Sequence, residues 1–600
     1  MELSMNRRTL VAGAAALGLA AGAGLSSTPA AQAEEAPADE KRFNAYSDVN
    51  WDNVLPIAPA EPPAEYDAET DVLIIGFGLG GTMAALQLAN AGVPFIAVEA
   101  SPRESWDEHA GVQVLAGAGG SRWAACKGVE WTDADVDKLT DQIVATNDYM
   151  VNRETIKAQV ESFDDMLASL EGIGCAFEAV DLSDSFDLAS DSYSSCTFTC
   201  VKNDVAQYTA SDPWVNKYHG AENAIERYIE ANEAGDMLFG TSAKRLIQDA
   251  DGAILGAIVE RDGEEYAVKA KKTLISTGGY GANLDMCKVD GYTTQFCGCY
   301  VGSSTNKGDG IRMGLGAGAT LCNFGAVGCA DGGPDALKVG QDWLWRESDF
   351  FNGEHSASAY TRALIQLTRQ PTLKINAEGK RFMDENGTWQ YKTQSAYAQP
   401  GKHFFTIFAG NIEEQIEFIK GSRYGMCENM ITPAFRIYFT DDEILPLWNW
   451  QDTIAIDNEK FHTYHECDTL EELADEIGVD RDTFLATVER YNEMCAAGED
   501  TDFGKHPSFL YPIDKPPYIA VEAKPAFLWT TQGGLAVSGK YEVLNETGTA
   551  PIPNLYCGSD DCGGQIKPFN QGMETLYQQA AAAALNGFIA AKSIIAALQA

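Results

Sequence analysis

A strand–glycine turn–helix–strand–acid unit at residues 69–99, several later strand ends that run into glycine turns, and a helical C-terminus predict an α/β chain built on a Rossmann-like parallel sheet. Val72-Leu73-Ile74-Ile75 is a short apolar run, as expected of a strand buried on both faces. Gly76, Gly78 and Gly81 follow as G-x-G-x-x-G, with Leu79 and Gly80 between them. Met83 to Ala91 is helical in pattern, and Phe95 to Val98 is a second strand that ends in Glu99 and Ala100. Gly76 permits the tight turn, Gly78 lets backbone approach a pyrophosphate, and Gly81 lets helix pack on strand. The helix N-terminus offers N–H groups to phosphates, and Glu99 can accept from ribose hydroxyls.

The chain opens with Asn6-Arg7-Arg8-Thr9-Leu10-Val11, a mildly apolar Leu10 to Leu25, and Ala31-Gln32-Ala33 before Glu34. That layout predicts a twin-arginine export signal over residues 1–33, with the twin-arginine translocase as a partner. The mature protein is then expected outside the cytoplasmic membrane, in the periplasm or cell envelope. Residues 34–65 are Pro-, Ala- and Glu-rich and read as a linker. No later stretch reads as a membrane span.

With 43 Lys and Arg against 87 Asp and Glu, the 600 residues carry a formal charge of −44. Such acidity argues against nucleic acid and anionic membrane surfaces as partners. It suits solubility, and also a basic electron carrier. The 14 cysteines form no metal-ligand pattern: Cys196 and Cys200 are four apart, Cys297 and Cys299 two, Cys557 and Cys562 five. There is no C-x-x-C-H and no ferredoxin-like run, so no metal is assigned, although an iron–sulfur cluster from distant cysteines stays open. Buried thiols are the expectation, with room for one or two disulfides.

Further turns belong to the same sheet. Val114 to Cys126 contains Gly119, Gly120 and Ser121. Ala243 to Gln248 and Ile254 to Glu260 read as a hairpin about Asp249-Ala250-Asp251-Gly252. Leu274 to Ser276 is a strand ending at Thr277-Gly278-Gly279, and Lys307-Gly308-Asp309-Gly310 precedes a helix. Asn554 to Cys557 is a last strand, and residues 574–598 read as a helix.

This order resembles the FAD-dependent oxidoreductase group of soluble fumarate reductase flavoproteins, urocanate reductases and 3-ketosteroid dehydrogenases, from about Asp71 to Lys592. Ser276-Thr277-Gly278-Gly279-Tyr280-Gly281 is similar to that group's ATGG-like strand end. Asn376 to Glu385 resembles its N-x-E-G-K-R-F-x-N/D-E cap element. Arg490-Tyr491-Asn492 and Gly498 to Lys505 resemble R-Y-N and G-x-D-x-D-F-G-K. Thr531 to Leu535 resembles T-x-G-G-L, and Pro551 to Tyr556 resembles P-I-P-G-L-Y. The resemblance implies non-covalent FAD in a domain made of residues 66–328 and 518–600, interrupted by an α+β capping domain at 329–517. It implies FAD contacts at Gly76, Gly78, Leu79, Gly80, Gly81, Glu99, Ala100, Gly119, Gly120, Ser121, Thr277, Gly278, Gly279, Asp309, Gly310, Gly533, Gly534, Asp560, Thr575 and Leu576.

The departures bear on substrate. Where the fumarate reductases carry a proton-delivering arginine, this chain has Trp389; where they carry a carboxylate-holding histidine and a second arginine, it has Thr530 and Asn570. A carboxylate site wants bidentate Arg, so fumarate is not the expected substrate. Phe569 stands where the steroid enzymes have a tyrosine. Tyr391, and secondarily Lys392, are candidate proton donors beside Trp389, since the donor must hold its proton at neutral pH. Tyr391 can equally be a packing tyrosine and Trp389 a core aromatic. Trp343, Trp345, Tyr360, Phe527 and Trp529 can line a pocket for a flat ligand or simply fill the core.

The sequence thus leads to an exported FAD-dependent reductase that moves a hydride from flavin N5 to an activated C=C bond of an enone- or enoate-like small molecule. Electrons would come from a separate membrane-linked cytochrome or quinol-linked protein. Two alternatives remain: the reverse reaction on a steroid-like ketone, and a non-catalytic flavin electron relay.

Overall fold

The apolar runs at residues 72–75 and 95–98, at the centre of the chain's main sheet, are buried throughout, so both their faces must be covered, and helices cover them. The structure is a computed structural model that describes residues 48–103, 114–181, 196–203, 221–340, 342–344, 367–368, 370–387, 389–412, 414–415, 454, 458–459, 461–568 and 579–600. The elements that build the site are β1 (Ala68–Ile75), α1 (Leu79–Ala91), β2 (Phe95–Glu99), β3 (Asp236–Phe239), β4 (Glu264–Ile275), α2 (Asp309–Gly316), β5 (Tyr518–Thr531), β6 (Pro551–Cys557) and α3 (Gln579–Gln599). The main sheet runs β6-β4-β1-β2-β3, every one of these neighbours parallel. Ile75, Glu99, Ile275 and Cys557 therefore end at one edge, where ligands of open α/β sheets bind. The expected hairpin forms from Thr241–Gln248 and Ile254–Arg261 and pairs antiparallel with β4.

α3 lies against α1, and the contact depends on glycine: a Cβ on Gly587 would fall 1.8 Å from the Gly80 carbonyl oxygen. α3 also corrects the expectation that no later segment could span a membrane. Ala580–Gln599 is long and apolar enough by length and composition, and Ala581, Ala584, Leu585, Phe588 and Ile594 are buried in the main core. Apolarity on this helix is thus accounted for by core packing.

A second correction concerns the expected linker. Residues 49–60 are bound to the sheet: Ala60 N–H donates to Leu246 (2.7 Å), Gln248 N–H to Ala60 (3.0 Å), and Arg312 Nε to the Leu55 carbonyl (3.0 Å). Val49 and Val54 enter the main core.

β5 is 14 residues long and joins two regions. Its first half pairs with Phe404–Ala409 and Tyr464–Cys467, and its second half with Cys297–Tyr300 and Val327–Gly333. The central segment has its own core of Leu373, Ile375, Phe405, Ile407, Phe484, Val488 and Tyr491. Its two family-like motifs are tied together by a buried ionic brace. Arg381 donates to both oxygens of Glu385 (Nε and Nη2, 2.9 Å each) and both of Asp500 (2.9 and 2.7 Å). Lys505 Nζ lies 3.3 Å from Glu385 and donates to Tyr491 Oη (3.0 Å).

Candidate active site

Glu99 stands at the C-terminal end of β2. Its carboxylate accepts from the Phe77 N–H (2.9 Å) and the Ser101 N–H (2.8 Å), which fixes it at the β2 end. An ionised carboxylate has about four acceptor positions, so capacity for ribose hydroxyls remains. α1 begins at Gly78 with no side-chain cap, leaving its first-turn N–H groups to a ligand. Around this turn glycine is needed for different reasons. A Cβ on Gly81 would lie 2.1 Å from the Gly76 carbonyl oxygen, whereas one on Gly78 would meet nothing within 4 Å. The space beside Gly78 is the cradle a pyrophosphate would fill. Ser276 Oγ, buried and without a protein partner among the described residues, borders Gly80. These features fit a dinucleotide.

Beyond β1 three more turns meet. Thr277 N–H, Gly278 N–H (3.0 Å) and Thr277 Oγ1 (2.9 Å) all donate to the Asp561 carboxylate. Thr277 Oγ1 accepts from Gly310 N–H (3.2 Å), so the turns carrying Thr277, Asp309 and Asp561 are tied through one hydroxyl. Gly308 N–H donates to the Gly279 carbonyl (2.8 Å). The fourth turn joins through Thr531, whose Oγ1 accepts from Tyr280 N–H (2.8 Å), and through Thr530, whose hydroxyl donates to Asp560 (2.7 Å). Gly533 and Gly534 leave no room for a side chain: a Cβ would fall 2.0 Å from the Asn323 and Asp561 carbonyl oxygens respectively. The sequence reading singled out Asp560 and missed Asp561. The signal available was the Asp560-Asp561 pair, separated by two residues from a strand that ends at Cys557.

Burial raises both acids, Asp560 to about 7 and Asp561 to about 6, and each is opposed by the donors it accepts from. The unfolded chain has Asp near ~3.9. The folded apoprotein therefore binds more protons than the unfolded chain from about pH 4 upward, and the contribution is present below pH ~4 and lost as pH rises through 6 and 7. Urea unfolding of the apoprotein is expected to show this pair favouring pH 5.0 over pH 7.5 by about 4 kcal/mol, a difference that shrinks in Asp560→Asn.

Other expected residues lie elsewhere or turn to other partners. The Gly119-Gly120-Ser121 turn faces Asp164: Ser121 N–H (3.0 Å), Ser121 Oγ (2.5 Å) and Arg122 N–H (3.1 Å) all donate to its carboxylate. Tyr391 is 41% exposed and its hydroxyl accepts from the Asp384 N–H (3.2 Å), while Lys392 is buried. Trp389 opens the helix Trp389–Tyr397, but its side chain lies outside the described residues, as do Asn570, Phe569, Thr575, Leu576, Trp345 and Tyr360. Trp343 is buried with Nε1 donating to the Gly281 carbonyl (2.9 Å), and Phe527 packs edge-on to Trp529 (5.5 Å). Among the described residues no three His, Cys, Asp or Glu side chains gather as a metal site. Cys287, Cys297, Cys299, Cys329, Cys557 and Cys562 are buried free thiols.

Comparison with known proteins agrees with this geometry. The digoxin reductase of Eggerthella lenta is 24% identical over 597 residues, covering 94% of this chain and 93% of that one. The vinyl phenol reductase of Lactiplantibacillus plantarum is 27% identical over 334 residues, 55% of this chain and 62% of that one. The 3-ketosteroid Δ1-dehydrogenase of Sterolibacterium denitrificans shares the fold, with a TM-score of 0.60 at 18% identity, covering 88% of this chain and all of that one. A family model described as an FAD binding domain matches residues 71–573. The chain belongs to that FAD binding domain family and is an FAD-dependent oxidoreductase.

Proposed function

We propose that this protein reduces a C=C bond conjugated to a carbonyl or similar acceptor, on a small molecule larger and less anionic than fumarate. The observation that carries this reading is the Thr530–Asp560 pair. Where a dicarboxylate site would present a cation, the chain presents a hydroxyl already donated to an acid. That acid is ionised above about pH 7 and would repel a second carboxylate. Two relatives are named for reducing digoxin and a vinyl phenol, in keeping with a neutral substrate. FAD, held without a covalent bond, supplies the hydride when bound. Asp561 orients the turn at Thr277–Gly279, α1 receives the pyrophosphate, and Glu99 holds the ribose. We further propose export through the twin-arginine route and electron supply from a membrane-linked cytochrome or quinol-linked protein, on the strength of the Arg7-Arg8 leader and the acidic composition.

The test is anaerobic. Reduced methyl viologen is followed with FAD-loaded protein over a panel of neutral enones, vinyl phenols, cinnamate-like acids, steroids and fumarate. Rapid reoxidation by a neutral class, with fumarate inert, is expected. Fumarate turnover would overturn the reading. Silence across the panel with reducible FAD would favour the dehydrogenase direction or the electron relay.

A further inference from the structure

Gln532 sits in the turn after β5 and is 4% exposed. Its backbone N–H donates to the Ala326 carbonyl (2.8 Å). Its side-chain Oε1 is buried with no partner, and neither end of the amide bonds to protein among the described residues. Leaving a buried polar group unpaired costs ~1–3 kcal/mol, and the surroundings give this amide no easy escape. The turn is pinned by Tyr280 N–H on Thr531, by Asn323 against Gly533 and by Asp561 against Gly534. The side chain is therefore placed in advance for a group that the described residues do not provide.

Strand order indicates which group. Glu99 marks the ribose at the end of β2, and Gly78 marks the pyrophosphate between β1 and α1. The remaining turns, at the ends of β4 and β6, lie successively further from the adenosine end. Gln532 is attached to these through Thr531–Tyr280 and Thr530–Asp560, so it stands on the isoalloxazine side. The isoalloxazine carries an imide, an N3–H between two carbonyls, and a side-chain amide is its donor–acceptor complement.

We propose that the Gln532 amide pairs with the imide edge of the isoalloxazine, Oε1 accepting from N3–H and Nε2 donating to the adjacent ring carbonyl. Gln532 is then a positioning residue, and its donation to the ring carbonyl also raises the flavin midpoint potential. The test reconstitutes apoprotein with FAD and with 3-methyl-FAD, which lacks the N3–H, and measures affinity by flavin fluorescence. Wild-type protein is expected to bind FAD about tenfold or more tightly than 3-methyl-FAD. Gln532→Leu should bind the two alike and show a lower midpoint potential. Equal affinity of the wild type for both flavins overturns the proposal without recourse to any variant. So does a Gln532→Leu protein with unchanged flavin affinity and potential but a raised KM for the alkene, because the amide would then face substrate.

Discussion

Arg381→Met is expected to lower stability by about 3–5 kcal/mol, read as a large fall in the urea midpoint of the FAD-loaded protein. The reason is the company Arg381 keeps. The side chain is 5% exposed, and both carboxylates it holds, on Glu385 and Asp500, are fully buried. Burial by itself would raise these acids. Lys505 and Arg381 instead keep Glu385 below the usual carboxylate range, and Arg381 with backbone donors keeps Asp500 well below it. Removing the guanidinium leaves Lys505 alone to answer two buried negative charges, so one must take up a proton or draw in water. Arg381→Lys keeps the charge but loses the bidentate fork, and should fall between wild type and Met. Both acids have depressed values, so the brace contributes above the unfolded carboxylate range and is lost as pH falls through the folded values. A Met variant with wild-type midpoint would show that the brace contributes no net stability. It would leave packing of Arg381 over Tyr491 and Phe503 as the sole reason for the motif.

This brace also shows what sequence could and could not yield. Segments Asn376 to Glu385 and Gly498 to Lys505 were legible as motifs, but their purpose, joining distant parts of the central core, is tertiary and has no local signature. The parallel sheet was legible because residues 72–75 and 95–98 are short apolar runs, a pattern set by burial on both faces, and because the first is closed by glycine. The position of Glu99 at the end of β2 was legible because its distance from Gly76 is fixed by one helix. Asp561 was not, because its partners lie some 280 residues earlier, at Thr277 and Gly278. Residues 49–60 were misread since a Pro- and Glu-rich composition describes both a free linker and a strap whose backbone bonds do the binding. Tyr391 is exposed because helix Trp389–Tyr397 turns it outward, while Lys392 beside it is buried. A helix places neighbouring residues about 100° apart, so proximity in sequence to a candidate says little about facing.

Gly78→Ala and Gly81→Ala should separate cofactor binding from folding. At Gly81 the added methyl lies 2.1 Å from a backbone oxygen of the preceding turn, which cannot yield without displacing α1 from β1. Apoprotein stability should drop by several kcal/mol, about 1–3 or more as for an overpacked core, and FAD binding should fail with it. At Gly78 the backbone has φ −70°, which any residue adopts, and the methyl meets no protein atom. Apoprotein stability should stay within about 0.5 kcal/mol of wild type. FAD affinity should nonetheless fall about tenfold or more, because the methyl enters the space where phosphate oxygens reach the first N–H groups of α1. Urea unfolding of the apoproteins and fluorescence titration with FAD measure the two effects separately. Wild-type FAD affinity in Gly78→Ala would move the pyrophosphate away from this turn. It would also undo the ordering of adenosine, pyrophosphate and isoalloxazine along β2, β1 and β4 on which the assignment of Gln532 depends.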